Sequence, residues 1–256
     1  AQQPSSRENT ASGKVFLSLL MLGETKGARA REYLWRVFNY SQMDFQFTFA
    51  QMIDLCRSPS EVYKTTKFRK QIKNQWARDD PAFVVVQIYF IVVASLAYSI
   101  TFGFSNFAHF LRLVAGSVFI EFLGSGIVIS SLIRMVANSN LKRRIHSADQ
   151  EVEWLYAFDI HCNGFFPLFV LLYPTQFLLT PLVLQNSVFA SVVSNTLYAV
   201  AIGYYQYVTF LGYNILPFLE GTQRFLYGIV WIPVGLVVTL LFNFNLSQFV
   251  LSLYFG

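Results

Sequence analysis

Three long stretches without a charged residue constrain the fold of this chain more than any other feature of its sequence. No Lys, Arg, Asp or Glu occurs in residues 81–111, 160–219 or 225–256. A helix needs about 20 apolar residues to cross the roughly 30 Å hydrocarbon layer of a bilayer. The middle stretch is long enough for two such helices joined by a tight turn. We therefore predict an all-α, multi-pass integral membrane protein.

The overall composition excludes several other classes of protein. Only 13% of the 256 residues are charged, against about 25% in a typical soluble domain. Two cysteines, Cys56 and Cys162, are too few for a disulfide framework and are expected to be reduced thiols. The sequence has no metal-ligand spacing, no phosphate-binding glycine loop and no nucleophile elbow. We expect no cofactor, no metal ion and no enzymatic activity.

The distribution of charge divides the chain into three parts. Residues 1–28 are polar and are expected to be a mobile lead. Residues 29–80 are mixed and basic and should form helices, one of them starting at Ser58-Pro59 with Glu61 in its first turn. Residues 81–256 should hold the five transmembrane helices, which we place at about 82–104, 110–136, 164–184, 188–213 and 225–245.

Basic residues predict the orientation in the membrane. Most of the 19 Lys and Arg residues precede the first span, and Lys142, Arg143 and Arg144 lie between the second and third spans. With five spans, both regions fall on the same side. Because cytosolic loops carry an excess of Lys and Arg, the N-terminus is predicted to be cytosolic and the C-terminus lumenal.

Glu121 is the most informative residue within the predicted spans. Arg112 and Arg134 are about 33 Å apart along a helix, so both can reach opposite interfaces and leave Glu121 inside the hydrocarbon. Ser117, Gly124, Ser125 and Ser131 are predicted to share its face, so that face should pack against another helix rather than lipid. A carboxyl group there is costly unless it is protonated or paired. It could serve a proton- or ion-linked site or a lipid headgroup, or it could simply bond a neighbouring helix.

The fourth predicted span carries polar side chains at helical spacing. They could line a cavity, or they could bond one helix to another, which is the more common use of such residues. The residues are Asn195, Tyr198, Tyr205, Thr209 and Tyr213, with Gln206 adjoining.

Asp159, His161 and Cys162 are residue types found in catalytic sites. Asp159 and His161 are two positions apart, so on a helix they point to different faces. A Cys–His protease also needs an oxyanion hole, and nothing in this sequence specifies one. The segment therefore does not predict catalysis.

The basic segment from Lys64 to Arg78 is compatible with three roles. It can set the topology and attract anionic lipid headgroups, it can dock an acidic protein, or it can bind nucleic acid. Aromatic residues among the basic ones (Tyr63, Phe68 and Trp76) are compatible with RNA binding but do not specify it.

Four stretches read together resemble the Unc-fifty family of eukaryotic multi-pass Golgi membrane proteins. The most specific is Lys64–Phe83, which contains Asp79-Asp80-Pro81. The others are Arg29–Phe38, the segment from Glu151 to Asp159, and Tyr207–Tyr213. The resemblance covers nearly everything after about residue 25.

This resemblance implies five spans, a cytosolic N-terminus and residence in the Golgi and related endomembranes, in some members also the inner nuclear membrane. It implies a role in vesicular protein transport: docking guanine-nucleotide exchange factors for Arf GTPases, and assembly or surface expression of nicotinic acetylcholine receptors. For some members it implies RNA binding. It supplies no catalytic residues.

The leading hypothesis is therefore a Golgi membrane adaptor that docks a trafficking factor through residues 29–80. The alternative is a lipid or ion translocator that uses Glu121 and the polar face of the fourth span. Packing against the spans or the bilayer interface would equally explain Tyr33, Trp35 and Phe38. Asp79 and Asp80 could instead do no more than cap the first span. The residues predicted for the docking surface are Tyr33, Trp35, Phe38, Arg69, Lys70, Lys73, Trp76, Arg78, Asp79 and Asp80.

Overall fold

The protein is described by a computed structural model that covers residues 43–103, 106–143 and 150–255. Every regular element in these ranges is a helix. Five helices, α3 to α7 below, are long and apolar enough to cross a membrane, which confirms the predicted fold class. In chain order the helices are α1 (Phe45–Arg57), α2 (Pro59–Lys73), α3 (Ala82–Phe102), α4 (Phe107–Asn140), α5 (Trp154–Val183), α6 (Val188–Asn214), α7 (Thr222–Leu241) and α8 (Leu246–Phe255).

The described residues fall into two compact units. The smaller contains residues 43–44 and 79–82, and the larger contains residues 45–78 and 83–255. Within the smaller unit, the Asp80 carboxylate accepts hydrogen bonds from the backbone N–H of Asp44 (2.8 Å) and of Ala82 (2.9 Å). Ala82 is the first residue of α3, so Asp80 satisfies one of the N–H groups that a helix start leaves without a partner.

The third spanning helix begins well before the range of 164–184 predicted from the sequence. Helix α5 starts at Trp154, and its first turns are buried. The helix includes Asp159, a charged residue that the predicted span left outside. The carboxylate of Asp159 is accommodated there because it accepts a hydrogen bond from the backbone N–H of Arg78 at 2.6 Å. A charged residue within the apolar length of a helix is tolerated where a packed neighbour supplies its partner.

Two of the spanning helices contain wider π-helical turns. One is Gly116–Gly124 in α4, and the other is Leu171–Thr175 in α5. Pro174 lies in the second, where the missing N–H of proline would interrupt regular α-helical bonding. Such turns are uncommon and occur frequently at functional sites.

The last predicted span, 225–245, corresponds to α7, which ends at Leu241, and a further short helix follows it. Helix α7 opens with a 3₁₀ segment, Thr222–Val230, and ends at Leu241. The chain then reverses, and Asn245 caps α8 by accepting a hydrogen bond from the N–H of Gln248 at 3.1 Å. The 10 residues of α8 extend only about 15 Å, half of a hydrocarbon layer. Helix α8 therefore packs back against the bundle, with Asn245 donating to the carbonyl of Val183 at 2.7 Å.

Buried side chains from three connecting segments meet in one cluster. They come from the segment before α3 (Trp76), the loop between α4 and α5 (Val152), and the turn after α6 (Leu216 and Leu219). A backbone bridge between Lys142 and Leu219 joins the second and third of these segments. We call this end of the bundle, which contains α2 and Lys142, the basic end.

Candidate functional sites: an intramembrane cavity and a basic helix face

A cavity of about 660 Å³ lies among the spanning helices. Side chains from α3, α4, α5, α6 and α8 form its wall, together with Phe225 of α7. Much of the wall is aliphatic or aromatic. The polar side chains in the wall, apart from tyrosine and histidine, are Ser95, Ser117, Glu121, Ser125, Gln176, Gln206 and Thr209.

Helix α4 presents one side chain in every four to this cavity. In a regular α-helix, residues four apart are rotated by about 40°, so such a series would wind around the helix. The wider π turns of Gly116–Gly124 offset this rotation and keep the series on one wall. The series is Leu113, Ser117, Glu121, Ser125, Ile129 and Ile133.

Ser131 does not lie on this wall, contrary to the prediction that it shares the face of Glu121. It is exposed and accepts a hydrogen bond from Trp154 Nε1 at 3.1 Å. The neighbouring Ser130 points into the bundle instead and donates to the carbonyl of Ala157 at 3.1 Å. The prediction assumed regular α-helical periodicity, which the π turns alter.

The carboxylate of Glu121 accepts hydrogen bonds from two tyrosine hydroxyls. Tyr173 belongs to α5 and Tyr254 belongs to α8, so the carboxylate links three helices. Hydroxyl donors of this kind offset part of the cost of placing a carboxyl group in hydrocarbon. Neither tyrosine could be identified as a partner from the sequence, because both are distant from Glu121 along the chain.

His161 is held in a fixed orientation at the edge of the same cavity. Its Nε2 lies 3.1 Å from the carbonyl oxygen of Phe122, and its Nδ1 lies 2.9 Å from the hydroxyl of Tyr205. A carbonyl can only accept, so Nε2 carries the proton and Nδ1 accepts from the tyrosine. A Cβ at Gly126 would come within 2.6 Å of the imidazole ring, so only glycine permits this close approach of α4 to α5.

Asp159, His161 and Cys162, whose residue types occur in catalytic sites, have separate surroundings in the fold. Asp159 is bonded to the backbone of Arg78, and His161 faces the cavity. Cys162 is buried in an apolar cluster that includes Val118 and Phe158. The described contacts do not assemble them into a nucleophile and base.

The polar residues of the fourth span divide between the two predicted roles, lining a cavity and bonding one helix to another. Tyr198, Tyr205 and Thr209 line the cavity. Asn195 instead bonds the chain around the turn before α8: its amide N–H donates to the carbonyl of Phe244 at 2.7 Å, and its oxygen accepts from the N–H of Leu246 at 3.0 Å. Tyr213 is buried in the cluster at the basic end.

Four polar atoms in the cavity wall have no hydrogen-bond partner among the described residues. They are Oε1 of Gln176, Oγ of Ser95, Oε1 of Gln206 and Oγ1 of Thr209. Gln176 and Ser95 are the most buried of the four residues. The two side chains belong to residues that are only 2% and 1% exposed. Buried polar groups are nearly always hydrogen-bonded, so these atoms mark a place where a bound molecule could supply a partner.

Two residues predicted for a docking surface, Trp76 and Arg78, are buried at the basic end. Trp76 packs against Tyr156, with ring centroids 5.9 Å apart. The guanidinium of Arg78 donates to Asn163 and lies over the ring of Phe83 at 4.2 Å. Their contacts are those of structural residues, and neither side chain is available to a partner in this arrangement.

The remaining predicted docking residues have mixed surroundings. Lys70 donates to the carbonyl of Asn74 at 2.8 Å and lies 5.7 Å from the ring of Trp76, so it helps close the end of α2. Arg69 and Asp79 are partly buried, and Lys73 is exposed. Tyr33, Trp35 and Phe38 lie outside the described residues.

One face of α2 is both basic and apolar and is exposed. The opposite face, which includes Val62, Tyr63 and Thr66, is buried, and burial raises the pKa of the Tyr63 hydroxyl. On the outer face, Phe68 and Ile72 are 62% and 68% exposed. We call this outer surface the α2 basic face; its residues are Lys64, Lys67, Phe68 and Ile72, together with Glu61, which is paired with Lys64 at 2.6 Å.

Comparison with known proteins identifies the family. Residues 33–255 match the UNC-50 family. The protein unc-50 homolog of Dictyostelium discoideum is 49% identical over 227 residues, which cover 88% of this chain and 87% of that protein. The homologs of Mus musculus and Homo sapiens are 41% and 39% identical over 231 residues, which cover 90% of this chain and 88% of each of theirs. No solved structure gave a significant match. With five helices among the described residues that are long and apolar enough to span a membrane, and with this extent of similarity, the chain belongs to the UNC-50 family.

Proposed function

We propose that this chain is a Golgi membrane adaptor in vesicular protein transport. In this proposal the spanning helices anchor it, and the α2 basic face docks a guanine-nucleotide exchange factor for Arf GTPases. The exposure of Phe68 and Ile72 between lysines is the observation that carries the proposal. Membership of the UNC-50 family supports the class of protein, and support for receptor assembly or surface expression is a further part of the same proposal.

The chemistry of the α2 basic face determines the kind of partner it fits. Phe68 and Ile72 are one helical turn apart, so they can enter a single apolar groove. Lys67 would then face acidic residues at the rim of that groove, while Lys64 is paired with Glu61 on its own helix. Apolar anchors contribute most of the affinity in such interfaces, and rim charges contribute mainly association rate. The partner surface should therefore be a hydrophobic groove bordered by Asp and Glu.

The location of basic residues in the fold supports a cytosolic position for this face. Helix α2 and Lys142 belong to the same end of the bundle, and buried contacts join the segments that carry them. Arg143 also lies there and forms an ion pair with Glu220 at 2.8 Å. An excess of basic residues on one side favours the cytosol for that side.

The test is recovery of the partner with the tagged full-length protein from gently solubilised Golgi membranes. We expect Phe68→Ala and Lys67→Glu each to reduce recovery of the exchange factor by about tenfold, since an anchor or a facing charge is lost. Arg57→Glu is the matched control, because it makes the same charge change at an exposed position at the end of α1. Trp76 and Arg78 are unsuitable as test positions, since their loss would disturb the fold.

Equal recovery with all three variants would contradict docking at this face. Loss of binding to anionic vesicles, with unchanged recovery of the exchange factor, would instead assign the face to the membrane surface. Glu121→Gln separates the adaptor from the alternative translocator. An adaptor should keep its partner and its transport function in this variant, whereas a translocator that depends on the carboxyl group should lose activity at normal abundance.

A further inference from the structure

The intramembrane cavity has the size and lining of a ligand site. Its volume of about 660 Å³ is in the range of roughly 300–1,000 Å³ found for sites that hold one drug-sized molecule. Such sites combine a mostly apolar wall with a few placed polar groups. We propose that the cavity binds one neutral amphiphile of sterol size, with its hydroxyl end at Gln176 and its hydrocarbon body against the aliphatic wall.

The charges around the cavity favour a neutral headgroup. Among the described residues that line it, none is Lys or Arg, and Glu121 is the single carboxylic acid. A phosphate or carboxylate headgroup would have no cation to pair with and would lie in the same water-poor space as Glu121. An uncharged hydroxyl meets no such penalty.

Of the four unpartnered polar atoms in the wall, the two on the most buried residues, Gln176 and Ser95, locate the hydroxyl end of the ligand. Oε1 of Gln176 can accept a hydrogen bond, and Oγ of Ser95 can donate or accept one. Gln176 lies beside the hydroxyls of Tyr98 and Tyr198, which also line the cavity. An alcohol bonded here would satisfy a buried acceptor that otherwise has no partner among the described residues.

The remaining wall suits a rigid hydrocarbon body. Leu113, Ile129 and Ile133 form the aliphatic part of the α4 wall, and Ile202 faces them from α6. Phe255 and Val250 add the surface of α8. A body without polar groups would contact these side chains and leave the tyrosine bonds of Glu121 intact.

The experiment is photocrosslinking of the full-length protein in nanodiscs of uncharged phospholipid. The probe is cholesterol that carries a diazirine for crosslinking and an alkyne for detection. We expect saturable labelling that unlabelled cholesterol competes away, with the crosslinked peptide mapping to α4 or α5. Gln176→Leu removes the acceptor at nearly constant volume and should weaken competition by about tenfold.

A matched pair of substitutions distinguishes the cavity from general contact with lipid. Ile129→Phe should fill the cavity and abolish labelling, because Ile129 lies on its wall. Ile127→Phe makes the same change on the same helix at a side chain that is 51% exposed, and it should leave labelling unchanged. Size-exclusion profiles and thermal unfolding establish that both variants are folded.

Equal labelling of the two isoleucine variants would overturn the proposal, as would competition by an anionic phospholipid but not by cholesterol. The readout is crosslinking and does not involve an exchange factor. The result therefore stands independently of whether the α2 basic face proves to be a docking surface.

Discussion

At the scale of single residues, Glu121 has the surroundings of a carboxyl group that serves the structure. Two tyrosines from two other helices donate to it, so its oxygens are engaged within the bundle. This arrangement fits the interpretation of the residue as a link between helices, which was one of the two left open by the sequence. Its position in the cavity wall means that it also limits which headgroups can enter.

Substitution of Glu121 should lower stability according to how many acceptor atoms are lost. Glu121→Leu leaves the hydroxyls of Tyr173 and Tyr254 without their acceptor and should lower the free energy of unfolding by about 2 kcal/mol. Glu121→Gln keeps one acceptor oxygen and should cost less. Thermal unfolding in detergent, followed by Trp fluorescence, measures both. Equal melting temperatures for the wild type and the Leu variant would show that the tyrosine bonds do not stabilise the fold.

Helix α8 is the element whose location the sequence did not predict. It is too short to span, and the bonds that Asn195 of α6 makes to the turn after α7 help to hold it at the cavity. Hydrogen bonds between Ser194 and Ser247 (2.8 Å) reinforce the same contact. These bonds place Tyr254 beside Glu121, so the turn and the cavity wall form one structural unit.

Asn195→Ala should loosen α8 from the bundle. The change removes the bonds to Phe244 and Leu246, and we expect a loss of about 1 to 2 kcal/mol in unfolding free energy. Limited proteolysis should show earlier cleavage near residue 245. Asn186→Ala is the control, because Asn186 lies in an exposed turn and makes only a 3.4 Å contact with Gln248. Identical cleavage of the two variants would argue against this role for Asn195.

On the scale of the whole molecule, the described basic segments, α2 and the loop that contains Lys142, belong to the basic end. The cysteines of the chain can report which side of the membrane that end faces. Cys56 is exposed next to α2, whereas Cys162 is buried. Partial burial raises the pKa of the Cys56 thiol. The reactive thiolate therefore forms at a higher pH than for an ordinary cysteine, whose pKa is about 8.5.

A membrane-impermeant maleimide should modify Cys56 in sealed Golgi vesicles whose cytosolic face is outward. Labelling should rise as the pH is raised through the range in which the thiolate forms, and Cys56→Ser should abolish it. Permeabilisation should add little, because Cys162 is enclosed by the helices. Labelling that requires permeabilisation would place the basic end in the lumen and would remove the basis for a cytosolic adaptor.

The sequence by itself determined the fold class, the number of spans and the clustering of basic charge. Each follows from local composition, because a hydrocarbon layer requires about 20 apolar residues of helix wherever the chain crosses it. The resemblance carried by Lys64–Phe83 pointed to the family that the comparisons establish. Helical spacing also grouped Tyr198, Tyr205 and Thr209 of the fourth span, which line the cavity, but it could not separate them from Asn195 and Tyr213, which do not.

The tertiary structure alone decided which polar residues share a site. Tyr173 and Tyr254 meet Glu121 from distant parts of the chain, and no local pattern encodes such a contact. The π turns of α4 move Ser131 off the cavity wall, which a regular period of 3.6 residues does not anticipate. Trp76 lies in a basic segment whose composition suggests an exposed surface, yet packing at the basic end buries it. Burial depends on which parts of the chain pack against a side chain, and for this reason the α2 basic face and the cavity could be identified only from the fold.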